Sequence, residues 1–228
     1  MSFWVDRLRR HEVLVGELTA RFNEGALPFI DSDGLQLELV EAPVNATRKN
    51  NYGSIPIENA ITGIHGVTLL ESAAPETDSL LTETLGFRSV NREGNRTRYL
   101  AGPTGRGTQV DLVHMPDEPP GAVAVGTVHH VAWRIADEER QRAWRKEIAG
   151  AGLNVTPIIN RHYFKSIYFR EPGGVLFELA TDPPGSTIDE KPDRLGTHLV
   201  LPPWLEADRA KLEQRLPLLA LLKLGRAA

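Results

Sequence analysis

The chain has 228 residues, a formal net charge of −4 and no cysteine, so it contains neither disulfides nor thiolate metal ligands. Its mild acidity argues against nucleic acid as the main partner, because proteins that bind nucleic acid usually carry a basic face. No apolar run approaches the roughly 18 residues that span a bilayer, and we therefore expect no membrane partner and a cytoplasmic location.

The first part of the chain predicts a helix followed by two strands. The helix is expected at residues 2–11 and the strands at residues 22–29 and 35–40, joined by an Asp-Ser-Asp-Gly turn. The acidic residue Glu38 lies within the second strand. Compared with the two segments that follow, this part lacks an opening strand, because the chain starts at the helix. We therefore interpret residues 1–42 as a truncated unit, followed by a polar linker at residues 43–62.

The middle segment, residues 63–116, predicts a complete unit. An opening strand is expected at residues 64–70 and a helix around residues 77–85, closed by Gly86. Later strands are expected at residues 97–101 and 109–113. Asp111 then occupies the same place in the last strand as Glu38 does in the preceding unit.

The third segment, residues 126–182, gives the clearest pattern. Its predicted elements are a strand at 127–135, a helix from Asp137 to about 151, and strands at 155–159, 163–170 and 175–180. The recurring order of strand, helix and three strands predicts an α+β fold of repeated βαβββ units. The remaining tail, residues 183–228, contains an amphipathic helix at about 207–222, which we expect to pack on its own domain.

Two residues of the third segment suggest a metal site. Glu178 lies in the apolar strand VLFELA, where a buried carboxylate needs a cation or hydrogen-bond donors. His130 lies in the opening strand of the same unit, with His129 expected to face the other way. Imidazole and carboxylate together are ligands for Fe(II), Mn(II) or Zn(II). The alternatives are a solvent-exposed Glu178 near a sheet edge and a His130 that only fills the core.

Three stretches carry a resemblance to a known family: TVHHVAWRI at 127–135, RHYFKSIYFREPGGVLFELATDPPG at 161–185 and LPPWLE at 201–206. They resemble the hydroquinone-type ring-cleaving dioxygenases of the vicinal oxygen chelate superfamily, and the resemblance covers nearly the whole chain. It implies βαβββ units that form curved mixed sheets or half-barrels. It also implies Fe(II) held by a His of a first unit together with a His and a Glu of a fourth, which map onto His130 and Glu178. Catalytic roles toward bound substrate and O2 map onto Arg161 and Tyr168, with a weaker claim for His129.

The sequence departs from that family because we find no counterpart of the first unit, which would supply the remaining His. In the middle unit, Gly66 stands at the position of His130, and His65 is one residue out of register, which reverses the facing of its side chain.

The resemblance implies an Fe(II)-dependent dioxygenase, or a truncated form of one, that acts on a small hydroquinone- or catechol-like aromatic with O2. The alternatives are a glyoxalase-like metal-dependent lyase or isomerase with its site at a dimer interface, and a ligand-binding protein without turnover. The alternative metals to Fe(II) are Mn(II), Zn(II) and Ni(II). The apolar face that the strands of 127–180 would expose predicts a homodimer in which this unit pairs with its own copy.

Overall fold

Three β-sheets follow one another along the chain in the computed structural model, which describes residues 1–41, 54–103 and 107–217. They are named here sheets A, B and C in chain order. The predicted linker at 43–62 and the tail at 183–228 each lie partly outside the described residues.

Sheet A and its helix occupy the first 41 residues. Their elements are α1 (Ser2–Arg10), β1 (Leu14–Val15), β2 (Thr19–Arg21), β3 (Glu24–Ile30) and β4 (Gln36–Val40). β1 and β2 pair with the two ends of β3, β4 pairs along its other edge, and all pairs are antiparallel. The prediction of a strand over residues 22–29 is wrong at its start. Phe22 and Asn23 have φ values of 51° and 63° and form the turn between β2 and β3.

Sheet B follows the predicted βαβββ order. Its elements are β5 (Gly66–Glu71), α2 (Ala74–Ser79), a π-helical turn (Leu80–Thr84), β6 (Arg88–Glu93), β7 (Arg96–Leu100) and β8 (Gln109–His114). The strand order is β5-β8-β7-β6, and only the β5–β8 pair is parallel. β6 was not predicted, because all six of its side chains are exposed and it shows no apolar alternation.

Sheet C repeats this arrangement, which confirms the predicted α+β fold. Its elements are β9 (Val131–Ile135), α3 (Glu138–Gly150), β10 (Ile159–Asn160), β11 (Lys165–Arg170) and β12 (Leu176–Thr181), in the order β10-β11-β12-β9 with β9 and β12 parallel. The predicted cap of α3 is confirmed, since the Asp137 carboxylate accepts a hydrogen bond from the Arg140 amide at 2.8 Å. The predicted opening strand, 127–135, is too long. It begins at Val131, so His129 and His130 precede it.

One apolar core joins sheets B and C. The Trp133 ring of β9 lies 5.6 Å from the Phe87 ring and 4.5 Å from the Phe177 ring, both in edge-to-face geometry. Leu81 beside α2 and Ile148 of α3 are fully buried in the same cluster. Because the helices and the core occupy this side, the opposite faces of sheets B and C are the ones left for polar sites.

A buried polar contact also links the two units. The Thr77 hydroxyl lies 2.6 Å from Glu71 Oε2 and 2.5 Å from Glu171 Oε2, and all three residues are buried. Since one hydroxyl proton cannot serve two carboxylates, one of the two acids is expected to be protonated. Burial, together with the charge of Glu171, raises the pKa of Glu71 to about 7. Gly173 is required at this contact, because a Cβ there would overlap the Glu71 carboxylate.

The described part of the tail contains 3-10 turns at Ser186–Ile188 and Pro203–Asp208 and a short helix, α4 (Arg209–Arg215). The helix predicted at 207–222 therefore begins later than expected and ends at Arg215, and residues 218–222 of the prediction lie outside the described residues. Within the described ranges, every helix is too short or too polar to cross a bilayer.

Candidate metal site

The register of sheet C brings the predicted metal ligands together. Glu178 on β12 pairs with Tyr168 on β11 and with Ala132 on β9. His130 immediately precedes β9, and its ring contacts Glu178. Three segments that are distant in sequence therefore meet at Glu178.

The two predicted ligands are in direct contact. The Nε2 atom of His130 lies 2.8 Å from Glu178 Oε2. The Glu178 side chain is only 3% exposed, whereas that of His130 is 36% exposed. The alternative of a solvent-exposed Glu178 is therefore wrong. A carboxylate buried to this degree needs compensating partners, and solvent can reach it from the imidazole side.

The other oxygen of Glu178 accepts two hydroxyl hydrogen bonds. Tyr168 donates to Oε1 at 2.8 Å, and Ser166 donates to the same atom. Ser166 was not among the predicted site residues. The signal that could have identified it is strand alternation, since Ser166 lies two residues before Tyr168 and therefore on the same face.

Arg161 and His129 lie at the periphery of this pair. The Arg161 guanidinium carbon lies 5.2 Å from the centre of the Tyr168 ring, a cation–π distance. His129 Nδ1 lies 2.9 Å from His130 Nδ1. The expectation that the two histidines face opposite sides is wrong, because strand alternation does not apply to residues that precede β9. One of the two Nδ1 atoms must donate. Metal binding at His130 Nε2 requires the His130 proton to be on Nδ1, with His129 as its acceptor.

The tail holds the turn that carries Arg161. His162, in a left-handed conformation with φ of 72°, bonds Asp189 at 2.7 Å through Nε2. Its ring also packs against Trp204 of the LPPWLE segment at 5.9 Å. A hydrogen bond from Tyr163 to Asp189 raises the pKa of the tyrosine. The position of Arg161 above the site therefore depends on residues more than 25 positions away in the sequence.

The chemistry of the donors fits a divalent metal, but the described residues supply only two ligands. His130 Nε2 and Glu178 Oε2 are a nitrogen and an oxygen donor on one side of the sheet. Within residues 1–41, 54–103 and 107–217, no group of three or more His, Asp or Glu side chains is arranged to hold a metal.

The middle unit cannot form the same site. A Cβ at Gly66 would lie 2.7 Å from the backbone oxygen of Gln109, so no side chain fits at the position that corresponds to His130. His65 bonds Glu24 and the Gln109 amide instead, at 3.3 and 3.1 Å. This agrees with the expectation that His65 is a poor replacement ligand.

In sheet B, arginines occupy the positions of the hydroxyl donors. Arg98 pairs with Asp111 across β7 and β8 as Tyr168 pairs with Glu178, and Arg96 corresponds to Ser166. Arg98 bonds both Asp111 oxygens at 2.7 and 3.0 Å, and Arg96 bonds one at 3.0 Å. The carboxylate of sheet B is thus neutralised by fixed cations. Within the part of the chain that the structure describes, the contacts recorded for the Glu178 carboxylate are two hydroxyls and one imidazole.

Sheet A completes the polar cluster of sheet B across a cavity of about 1260 Å³. Glu24 accepts a hydrogen bond from Arg98 at 2.6 Å, and Arg21 binds Glu38 and lies 3.6 Å from Asp111. Burial alone would lower the pKa of Arg98, but its bonds to Asp111 and Glu24 raise it above the usual value. The three guanidinium groups and three carboxylates of this cluster therefore balance in charge.

Comparisons with known proteins agree with this architecture. Residues 63–179 match the model of the glyoxalase/bleomycin resistance protein/dioxygenase superfamily. The chain is 40% identical over 217 residues to Bacillus subtilis MhqO, which is named as a ring-cleaving dioxygenase. The aligned region covers 95% of this chain and 68% of that protein. It is 34% identical to a chlorohydroquinone/hydroquinone 1,2-dioxygenase of Sphingobium indicum, with coverages of 93% and 67%. A crystal structure of a Bacillus subtilis protein named as a dioxygenase superposes with a TM-score of 0.90 at 39% identity, over 98% of this chain and 71% of the other.

Proposed function

Because this chain belongs to the glyoxalase/bleomycin resistance protein/dioxygenase superfamily, we propose that it is a metal-dependent ring-cleaving dioxygenase acting on a small hydroquinone- or catechol-like aromatic and O2. The observation that carries the proposal is the buried Glu178, which has one oxygen held by hydroxyls and the other beside His130 Nε2. The names of relatives at 34–40% identity support the reaction class.

The proposed metal ligands are His130 Nε2 and Glu178 Oε2. Histidine with carboxylate is the ligand chemistry of non-haem Fe(II) oxygenases, which makes Fe(II) the proposed metal ahead of Mn(II), Zn(II) and Ni(II). A bound Fe(II) would supply the redox chemistry by which O2 attacks an aromatic diol.

The surrounding side chains have separate proposed roles. Tyr168 holds its hydroxyl proton on Glu178 Oε1 and can transfer it to a substrate oxygen that approaches the site. Arg161, above the Tyr168 ring, would stabilise negative charge on that oxygen. His129 would accept the proton on His130 Nδ1 and so keep Nε2 free for the metal.

The first test removes each proposed ligand. We expect His130→Ala and Glu178→Ala to lose most of their bound divalent metal and their oxygen consumption with hydroquinone, while the wild-type protein retains both. Metal analysis after loading with Fe(II) in the absence of oxygen, together with an oxygen electrode, measures the two effects. His198→Ala, which removes an exposed histidine of the tail, is the control. Unchanged metal content in both ligand variants would refute the site. Zinc or nickel binding without oxygen consumption would favour a glyoxalase-like lyase or isomerase.

We also propose that the protein is a homodimer, which we place in the cytoplasm. The contacts recorded for His130, Ser166, Tyr168 and Glu178 all lie within their own unit, whereas sheet B faces sheet A. A two-fold axis at sheet C would bring His130 and Glu178 of both copies to one centre and complete the ligand set.

The dimer proposal predicts that a chelator weakens the association, because metal binding would then stabilise the dimer. Light scattering at micromolar concentration, with and without EDTA, measures the effect. A monomer under both conditions, or a dimer that EDTA does not affect, would contradict the shared site.

A further inference from the structure

We propose that Ser166 is a positioning residue that fixes which oxygen of Glu178 is presented to the metal. The inference deepens the proposed function and rests on it. Ser166 does not touch the proposed metal position itself and acts through the Glu178 carboxylate.

The placement of Ser166 leaves it one partner in the site. The side chain is fully buried on β11 and stands opposite Ala180, two pairs along the strands from the Tyr168–Glu178 pair and therefore on the same face. Because the side chain of Ala180 is small, it leaves room for the Glu178 carboxylate to approach Ser166, whose Oγ donates a hydrogen bond to Glu178 Oε1. A buried hydroxyl is seldom left unbonded, and here its acceptor is a carboxylate.

The two hydroxyl bonds make the oxygens of Glu178 unequal. Ser166 and Tyr168 both donate to Oε1, while Oε2 faces His130 Nε2 at 2.8 Å. A metal beside His130 would therefore meet one oxygen, and the carboxylate would bind through Oε2 alone. Without Ser166, Oε1 keeps a single donor from a partly exposed tyrosine, and the carboxylate gains freedom to rotate.

The same chain contains an internal comparison that supports this role. In sheet B, Arg96 occupies the Ser166 position and likewise bonds the carboxylate of the last strand, Asp111. This strand position therefore contacts the carboxylate in both units. In sheet B it supplies a charge that neutralises the acid. In sheet C it supplies a neutral donor, which orients Glu178 and leaves its charge available for a cation.

Titration with Co(II), a spectroscopically visible substitute for Fe(II), tests the inference on the full chain. We expect Ser166→Ala to weaken Co(II) binding by about 10- to 100-fold, the range found when a partner of a metal ligand is removed. We also expect the visible absorption bands of the Co(II) complex to change, because Oε1 becomes free to join the coordination. Ser166→Thr, which keeps the hydroxyl, should bind with nearly wild-type affinity and spectrum.

Two further variants separate this role from others. Ser89→Ala removes an exposed hydroxyl of β6 and should change neither affinity nor spectrum. Tyr168→Phe removes the other donor to Oε1, and we expect it to reduce turnover more than Co(II) affinity. Thermal unfolding of each variant identifies any that fails to fold, in which case Ser166→Thr gives the comparison.

The outcomes distinguish the two proposals. If wild type binds Co(II), Glu178→Ala does not, and Ser166→Ala matches wild type in affinity and spectrum, the inference about Ser166 is wrong and the site stands. If Ser166→Thr is as weak as Ser166→Ala, the hydroxyl is not the group responsible, and the inference fails. If wild type binds no Co(II), both proposals are overturned.

Discussion

Replacing Arg98 by methionine is expected to lower the free energy of unfolding at pH 7 by about 3–5 kcal/mol, the cost of removing one partner from a buried ion pair. Arg98 is 6% exposed and joins two acids on different sheets, Asp111 at 2.7 Å and Glu24 at 2.6 Å. Methionine keeps most of the apolar part of the arginine side chain. The decrease in the free energy of unfolding therefore measures the loss of the charge and its hydrogen bonds. Because Asp111 keeps its bond to Arg96, we expect the lower part of that range.

Urea unfolding followed by circular dichroism measures this loss. The matched control is Arg92→Met on β6, where the arginine is exposed and a change within about 0.5 kcal/mol is expected. A loss of similar size in both variants would mean that burial of the Arg98 charge is not the source of the effect. Co(II) binding is expected to be retained in Arg98→Met under native conditions, because the proposed metal site at Glu178 lies on sheet C whereas Arg98 lies on sheet B.

The second large effect concerns pH and the carboxyl pair between sheets B and C. The pKa of Glu71 is raised to about 7 in the folded protein, above the ordinary value of 4.5. A raised carboxyl pKa favours the protonated form, so its contribution to stability is fully present below pH 4.5. It declines as the pH rises toward 7 and is then lost. One pKa unit corresponds to about 1.4 kcal/mol, so the contribution is on the order of 3 kcal/mol.

The variant Glu71→Gln tests this assignment, because the amide cannot ionise and resembles the protonated acid in shape. We expect the free energy of unfolding of wild type, relative to that of Glu71→Gln, to fall between pH 5 and pH 8. Glu76→Gln, an exposed position on the helix α2 that follows β5, is the control and should follow wild type. If Glu71→Gln also follows wild type over this range, a group other than Glu71 controls the pH dependence.

Much of the fold could be predicted because the apolar periodicity repeats. The order of strand, helix and three strands could be predicted from residues 126–182. Asp137 identifies the start of α3 because its side chain caps the helix by accepting a hydrogen bond from the Arg140 amide. The approach of His130 to Glu178 followed from the resemblance and from the polar residues in apolar strands. Boundaries were less accurate where turn residues look apolar, as at Phe22.

Other features depend on contacts that a linear pattern does not contain. β6 is held by its pairing to β7 although its side chains are exposed, so it lacks the apolar alternation used for prediction. The polar cluster around Asp111 combines arginines from two sheets, and its charges balance only in three dimensions. The contact between Glu71 and Glu171 joins residues 100 positions apart (171 − 71 = 100) through a threonine. Neither acid alone looks unusual in the sequence.

The contrast between Arg96 with Arg98 and Ser166 with Tyr168 has a consequence for the protein in a cell. The cluster around Asp111 carries its own cations, so sheets A and B stay joined whatever the metal supply. The contacts recorded for Glu178 include no such fixed cation, so the metal site proposed there would take its cation from the surroundings. If that proposal is correct, the chain is expected to stay folded but inactive when its divalent metal is scarce. Activity should then recover on addition of the metal without new synthesis, at a rate set by metal uptake.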